Sequence, residues 1–263
     1  MQDNLHNLSC EVMFLKEPVF YTAGRTDAMR CAQRLLKKKG LRFAPLPDRS
    51  VTHLLLGVPA FEPDGSLKGG GWLEDVLPLL SSDVTICGGL LDKGVSQEYK
   101  KVDLLQDPGY LAENARITAY CALRLAMCKL PVVLWRCSVL VIGWGRIGKC
   151  LAQLLRDMGA LVTVATRKEA DRAMLSALGY DAVDVQSLGN GLARFRLIFN
   201  TVPAMVLPAE ELHDCAEDCL KIDLASCPGI EAPDVIWARG LPSKDAPESS
   251  GALIARTLLR LIS

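Results

Sequence analysis

The residues Ser138-Val139-Leu140-Val141-Ile142 run directly into Gly143-Trp144-Gly145-Arg146-Ile147-Gly148, and a helical pattern begins where the glycines end. The first five read as a strand. In the second set, Gly143 permits a tight turn, Gly145 lets the backbone come close to a pyrophosphate, and Gly148 allows the helix to pack closely on the strand. The amides that open the helix are unpaired donors at the positive end of the helix dipole, and so suit phosphate oxygens. Behind them Ile147, Leu151, Leu154, Leu155 and Met158 recur at helical spacing on the side expected to face a sheet, and Gly159 supplies the cap. A glycine pattern alone is a weak signal. Set between a strand and an amphipathic helix, it points to a nucleotide-binding turn made by Gly143, Trp144, Gly145, Arg146, Ile147 and Gly148. The same glycines also suit a turn of this kind that keeps them for packing alone.

The strand expected next, at 161–165, ends where two nucleotides are told apart. An Asp or Glu there accepts from a ribose 2′-hydroxyl, whereas cations fit a 2′-phosphate. The residues are Thr166-Arg167-Lys168, with no acid before Glu169. Arg167 and Lys168 can pair with a dianionic phosphate, which points to NADP, with NAD the alternative; the two cations also suit the solvated start of a helix. Further strands are expected at 197–200, 221–224 and 235–237. Asn200-Thr201-Val202-Pro203 ends the first of these and Asp223-Leu224-Ala225-Ser226 the second, at the carboxyl edge where open α/β sheets bind ligands. Thr201, Val202, Pro203, Ala225 and Ser226 are therefore expected to flank a nicotinamide, although turn chemistry alone also selects Asn, Pro and Ser. Strands alternating with helices predict an α/β fold. Right-handed crossovers then leave a Rossmann-type parallel sheet with helices on both faces, spanning residues 137–245.

The chain has 263 residues, a length that suits two domains, and its first part also alternates strand and helix. Strands are expected at 19–21, 52–56 and 84–87. A helix at 27–39 carries Met29, Ala32, Leu35 and Leu36 at helical spacing and stops at Gly40. Residues 1–109 thus read as a small α/β domain that holds substrate. An interdomain helix and linker follow at 110–136, with Ile117, Cys121, Leu125 and Cys128 along one face of the helix and Pro131 closing it. The last segment, 246–263, reads as a helix that packs back onto the first domain.

Composition excludes several classes of function. Half of the residues are apolar, 23% are charged, and 30 basic side chains balance 30 acidic ones, which is not the composition of a disordered chain. The one basic run, Lys37-Lys38-Lys39, reads as a solvated helix face, so no nucleic-acid partner and no polybasic membrane contact is expected. Ten cysteines fall short of the ~8–10% of a disulfide scaffold, and reduced thiols are expected. No pair has CxxC spacing, and Cys215 with Cys219 lacks a second pair, so no metal site is expected. Met1-Gln2-Asp3-Asn4 carries no basic leader region, and no apolar run approaches ~18 residues; a soluble, cytoplasmic protein is the expectation. The three histidines are His6, His53 and His213, and none follows the last strands. A late His paired with a carboxylate, the general base of Rossmann-type 2-hydroxy acid dehydrogenases, is therefore missing, and no nucleophile elbow appears.

From Val139 onward the sequence resembles the A subunit of dipicolinate synthase, an enzyme of endospore-forming bacteria concerned with sporulation. The resemblance is carried by the turn 143–148, by Thr166-Arg167-Lys168 and by Asn200-Thr201-Val202-Pro203-Ala204. It extends through Ile222-Asp223-Leu224-Ala225-Ser226 with Pro228-Gly229, and through Gly240-Leu241-Pro242, Ala246-Pro247 and Gly251. In the first domain Gly57-Val58-Pro59 and residues 114–118 echo the family. Its early Gly-Gly-Asp-x-Arg string stands here as Ala23-Gly24-Arg25-Thr26-Asp27, so the first domain is divergent. The resemblance implies two domains, a nicotinamide cofactor, and oxidation of a dihydrodipicolinate precursor to pyridine-2,6-dicarboxylate. It also implies a flavoprotein-like B subunit as partner.

Removing a hydride and a proton from such a precursor yields an aromatic ring, so orientation rather than a strong base carries the chemistry. A dicarboxylate wants cationic donors, and Arg25, Arg116 and Lys244 are the candidates. Arg116, with Asn114 beside it, is expected to hold substrate, unless its side chain only snorkels from the interdomain helix. Asn114, Arg116 and Asn200 are the expected catalytic residues, in a chain expected to form a homo-oligomer. The alternatives are another Rossmann-type NAD(P) dehydrogenase of a small hydroxy or keto acid, and a non-catalytic nucleotide-binding subunit.

Overall fold

A computed structural model describes residues 17–189 and 191–262. The readings made at Met1 to Asn4, at His6 and at Ser263 lie outside the described residues. The first part of the chain forms five strands, β1 (Val19–Thr22), β2 (Arg42–Phe43), β3 (His53–Leu55), β4 (Thr85–Gly88) and β5 (Lys100–Asp103). They pair in parallel in the order β2-β1-β3-β4-β5. Two helices belong to this part, α1 (Asp27–Lys38) and the single turn α2 (Leu73–Val76). The long helix α3 (Pro108–Lys129) then leads to a second set of strands. These are β6 (Ser138–Ile142), β7 (Leu161–Ala165), β8 (Asp181–Val183), β9 (Leu197–Asn200), β10 (Leu220–Asp223) and β11 (Ile236–Trp237). All are parallel, in the order β11-β10-β9-β6-β7-β8. That is the doubly wound order of a Rossmann sheet, and the first sheet has the flavodoxin-like order. Helices α4 (Arg146–Asp157), α5 (Glu169–Ala177), α6 (Leu241–Asp245) and α7 (Pro247–Ile262) complete the fold.

The period-2 alternation of the strands sorts their side chains into layers. In the second sheet Val139, Val141, Leu197 and Phe199 face α3 and α4, with Leu151, Ala152 and Leu155 opposite them. Leu140, Ile142 and Ile198 face the other way, onto Leu188, Leu192, Phe195 and Leu207. Single-turn 3-10 helices at Val185–Ser187, Leu192–Arg194 and Ala209–Leu212 lie along that second face. In the first sheet Phe20, Leu55 and Cys87 pack under α1 and α7, while Leu54, Leu56 and Ile86 pack on Leu73 and Leu80.

Helix α3 joins the two halves physically. Tyr110 is buried in the core of the first sheet, and Ala119, Cys121, Ala122 and Ala126 are buried in the core of the second. Asp107 caps it, its Oδ1 accepting from the Tyr110 amide at 2.7 Å and from Arg260 at the end of α7 at 2.7 Å. Two details differ from the sequence reading. Cys128 lies in the last turn of α3 past the buried stripe, which ends at Ala126, and is exposed. Met158 does not face the sheet; it is the C-cap of α4, beyond the last helical turn, and is 45% exposed.

Strands β2, β5 and β8 do not appear in the sequence reading, and each is an edge strand. A one-sided strand needs no long apolar run and tolerates charge. Arg42, Lys100, Lys101 and Asp181 occupy these edges, with Lys101 paired to Asp92 at 2.7 Å.

The final helix reaches the first domain because Gly251 lets its backbone come against α1. A Cβ added there would lie 2.6 Å from the Cys31 Cβ and 2.7 Å from the Ala28 carbonyl oxygen. Gly251→Leu is therefore expected to destabilise the protein by about 2 kcal/mol through overpacking. Calorimetry should show a lowered melting temperature, and an unchanged one would contradict this packing.

Candidate functional site

The turn after β6 forms at the point where the strand order of the second sheet reverses, between β6 and β9. Gly143 has φ +103, a conformation side chains rarely adopt, and its amide donates to the Ala165 carbonyl at 2.9 Å. Thr201 closes the other side: its amide and its hydroxyl both donate to the Ile142 carbonyl at 2.9 Å. A Cβ on Gly143 would strike this hydroxyl, and one on Gly148 would fall on the Gly143 carbonyl oxygen, so α4 starts in backbone contact with the turn.

Gly145 differs from both. Its φ of −81 is open to any residue, and a Cβ there would meet nothing within 4 Å. The fold does not require a glycine at this position, and the space in front of the helix is open. Gly145 is also the N-cap of α4, and no side chain caps the helix, which leaves first-turn amides for an anion. These observations fit a pyrophosphate. Trp144 turns away from that space and packs edge-on to Tyr180, with ring centroids 5.9 Å apart.

Beyond β7, Thr166 is buried, and Arg167 and Lys168 are exposed. The shape of this loop is set by Arg172, a residue the sequence reading missed. Its guanidinium donates to the Thr166 and Arg167 carbonyls at 2.9 and 2.8 Å and pairs with Asp184 at 2.9 Å. Nothing in the local sequence marks it, because its partners are carbonyls and an acid on β8's far end. Neither Arg167 nor Lys168 forms an ion pair among the described residues, so both charges remain available beside the turn.

Asn200, expected among the catalytic groups, is engaged with its own loops in this structure. It is fully buried, its Nδ2 donating to Asp223 Oδ1 and to the Val202 carbonyl at 3.0 Å each, while its Oδ1 accepts from the Val202 amide at 2.9 Å. Asp223 also accepts from the Ala225 amide at 3.0 Å and the Gly229 amide at 2.7 Å. A buried carboxylate with three donors is satisfied, and the pair fixes the loops after β9 and β10 to each other. With both ends of its amide engaged, Asn200 shapes these loops. Of the loop residues expected beside a nicotinamide, Pro203 and Ser226 are exposed, Thr201 and Val202 half-buried, and Ala225 buried, its carbonyl accepting from the Trp237 indole at 3.0 Å.

Asn114 and Arg116 part company. Two residues on a helix are separated by roughly 200° around its axis, so their side chains take opposite faces of α3. Arg116 is exposed in a groove between α3 and α7, its guanidinium 6.0 Å from the Tyr120 ring centroid, near an ion pair between Glu113 and Arg256. Asn114 lines an enclosed cavity with Thr26, Lys68, Tyr110, Ser243 and Ser250, between the carboxyl edge of the first sheet and helices α3, α6 and α7. Burial pushes the Tyr110 phenol well above its usual range, so it stays a neutral hydroxyl. Arg25 and Lys244, the other expected cations, are exposed and do not line this cavity; Lys68 does.

The described histidines lie away from these loops. His53 starts β3 at the amino edge of its sheet, stacked on Phe20 at 4.8 Å, and burial lowers its pKa. His213 is exposed, with Nδ1 2.8 Å from the Glu210 carbonyl. The buried Cys87 thiol is pushed up to about 12 by desolvation and is no nucleophile. Among the described residues no group of three or more His, Cys, Asp and Glu side chains could hold a metal ion, and no helix is long and apolar enough to cross a membrane.

Two parallel sheets with these strand orders, bridged by α3 and carrying a glycine turn at the second switch point, define an α/β protein of Rossmann-type fold. No protein-family model matches the sequence. The chain is similar to the A subunit of dipicolinate synthase: it is 27% identical to that protein of Bacillus subtilis (strain 168) over 259 residues, covering 91% of this chain and 84% of that protein. The crystal structure of the dipicolinate synthase A subunit from Bacillus halodurans matches with a TM-score of 0.82 at 20% identity, covering 95% of this chain and 99% of that one. A transhydrogenase from Sinorhizobium meliloti matches with a TM-score of 0.70 at 14% identity over 93% of each chain.

The three glycines of the turn make separable predictions. Gly145→Val should fold and melt like the wild type, because the added atoms meet no protein, but should lose at least tenfold in dinucleotide affinity by calorimetry. Gly148→Val should lower the melting temperature as well, because its Cβ has no space. Equal effects of the two substitutions would contradict the assignment.

Proposed function

We propose that this chain is the nicotinamide-nucleotide-binding subunit of an oxidoreductase that oxidises a dihydrodipicolinate precursor to pyridine-2,6-dicarboxylate, with NADP as the acceptor. The observation that carries this reading is the open space at Gly145, kept clear at a turn whose other two glycines are packed tight. The relationship to the dipicolinate synthase A subunit over most of the chain supports the reaction. That the relative is named as one subunit of its enzyme supports a partner, here a flavoprotein-like B subunit.

In this reading the amides at the start of α4 hold the pyrophosphate, and Arg167 with Lys168 faces the ribose 2′-phosphate on a loop that Arg172 keeps in shape. The bound nicotinamide supplies a hydride acceptor. Thr201, Val202, Ala225 and Ser226 line its approach, on loops locked by the Asn200–Asp223 pair. The precursor gives up one hydrogen as hydride and a second as a proton, and the product gains an aromatic ring, so the protein mainly has to orient the two reactants. The site of the precursor is at the carboxyl edge of the first sheet, on the side of α3 that carries Asn114 rather than Arg116. A late imidazole base is not required, in keeping with the position of His53 and His213 away from these loops.

Purified chain, mixed with the partner subunit, the product of dihydrodipicolinate synthase and NADP, is expected to generate the ultraviolet absorbance of the pyridine dicarboxylate. Failure to do so where a close homologue succeeds would overturn the proposed reaction. Arg167→Ala should weaken NADP binding about tenfold, roughly 1.4 kcal/mol, and change NAD binding less than twofold. Equal losses for both nucleotides in titration calorimetry would remove the phosphate role.

A further inference from the structure

Two buried hydroxyls among the described residues have no hydrogen-bond partner, Thr22 Oγ1 and Ser250 Oγ. An unpaired buried hydroxyl is unfavourable, and a reason for keeping one is worth seeking. Ser250, on α7 and 5% exposed, lines the enclosed cavity that also holds Asn114 and Lys68. Lys68 is the single charged side chain of that lining, and no carboxylate faces it there. Its ammonium forms no ion pair or hydrogen bond among the described residues, and neither does the side-chain amide of Asn114.

The fold holds Lys68 in place. Phe61 and Leu67 bridge across a short antiparallel turn, and the Lys68 amide donates to the Ala60 carbonyl at 2.8 Å. Gly24, at φ +72, passes so close that a Cβ would strike the Lys68 carbonyl oxygen, and a Cβ on Gly57 would lie 3.3 Å from the Lys68 Cβ. These loops leave β1 and β3, the two strands between which the order of the first sheet reverses. The lysine is thus fixed at the first domain's own switch point, opposite α3 and α7.

We infer that Lys68, Asn114 and Ser250 form a carboxylate subsite for the substrate, with Lys68 selecting for an acid. An ammonium, an amide and an unpaired hydroxyl, brought together from a loop and two helices, supply the donors that an anionic oxygen needs when it leaves water. The cavity, about 20 Å³, is too small for a pyridine ring, so in this inference a carboxylate group reaches it while the ring stays outside. This inference rests on reading the chain as acting on a pyridine dicarboxylate precursor. A nucleotide phosphate shares the anionic chemistry, and the test separates the two.

Pyridine-2,6-dicarboxylate is titrated into the full chain by calorimetry, with and without NADP, beside unsubstituted pyridine. The expected result is binding of the dicarboxylate but not of pyridine, at least tenfold weaker in Lys68→Met and severalfold weaker in Ser250→Ala. The exposed control Lys39→Met should match the wild type, and NADP affinity should stay within twofold in every variant. Because the Ser250 hydroxyl has no protein partner, ligand-free Ser250→Ala should melt no lower than the wild type, an outcome a structural role would not give. Equal dicarboxylate affinity in wild type and Lys68→Met, or no binding by the wild type, overturns the subsite. A loss of NADP affinity in Lys68→Met assigns the anion to the nucleotide and also overturns it. If the wild type fails to bind NADP, the nucleotide reading falls, while the dicarboxylate titrations still decide the subsite.

Discussion

The contact between the Gly143 carbonyl and the Cα of Gly148 is the constraint on which the site depends. A helix that begins against its own preceding turn is held at its first residues, and the buried Leu151, Ala152 and Leu155 hold the rest of α4 on the sheet, so backbone and core packing together aim its first amides. The space at Gly145 is a consequence of this geometry: the turn brings the chain to the edge of the crevice and stops there.

The remaining loops of the second domain are held to this turn by buried polar groups. Thr201 ties the loop after β9 to the end of β6, and the Asn200–Asp223 pair ties it to the loop after β10. The Asn200–Asp223 bond is buried and the Thr201 bond half-buried, so the three loops are tied into one edge. Arg172 does the same for the loop after β7. The first domain is organised differently. Its loops are set by glycines that let backbone segments touch, Gly24 and Gly57 around Lys68, while α7 packs on its sheet and α3 carries buried residues into both cores.

Much of this architecture was legible in the chain. Central strands such as Ser138–Ile142 and Leu197–Asn200 are buried on both faces and so carry dense apolar runs. The edge strands Arg42–Phe43, Lys100–Asp103 and Asp181–Val183 are open on one side and lack the signal. The helix pattern after Gly148 gave the right face but ran one residue too far, to Met158, since periodicity does not mark where a helix leaves its sheet. Asn114 and Arg116 were read together because they are adjacent in sequence; a helix separates such neighbours.

Spacing of glycines between a strand and a helix determined by itself that a tight turn leads from β6 into α4, because the contact of Gly148 with the Gly143 carbonyl acts over a few residues and leaves its mark at a fixed interval. Only the tertiary structure decided which distant side chains share a site. Arg172 meets Asp184, and Lys68 lines one cavity with Ser250, through folding that brings separated residues together, and no local pattern records a neighbour that arrives that way.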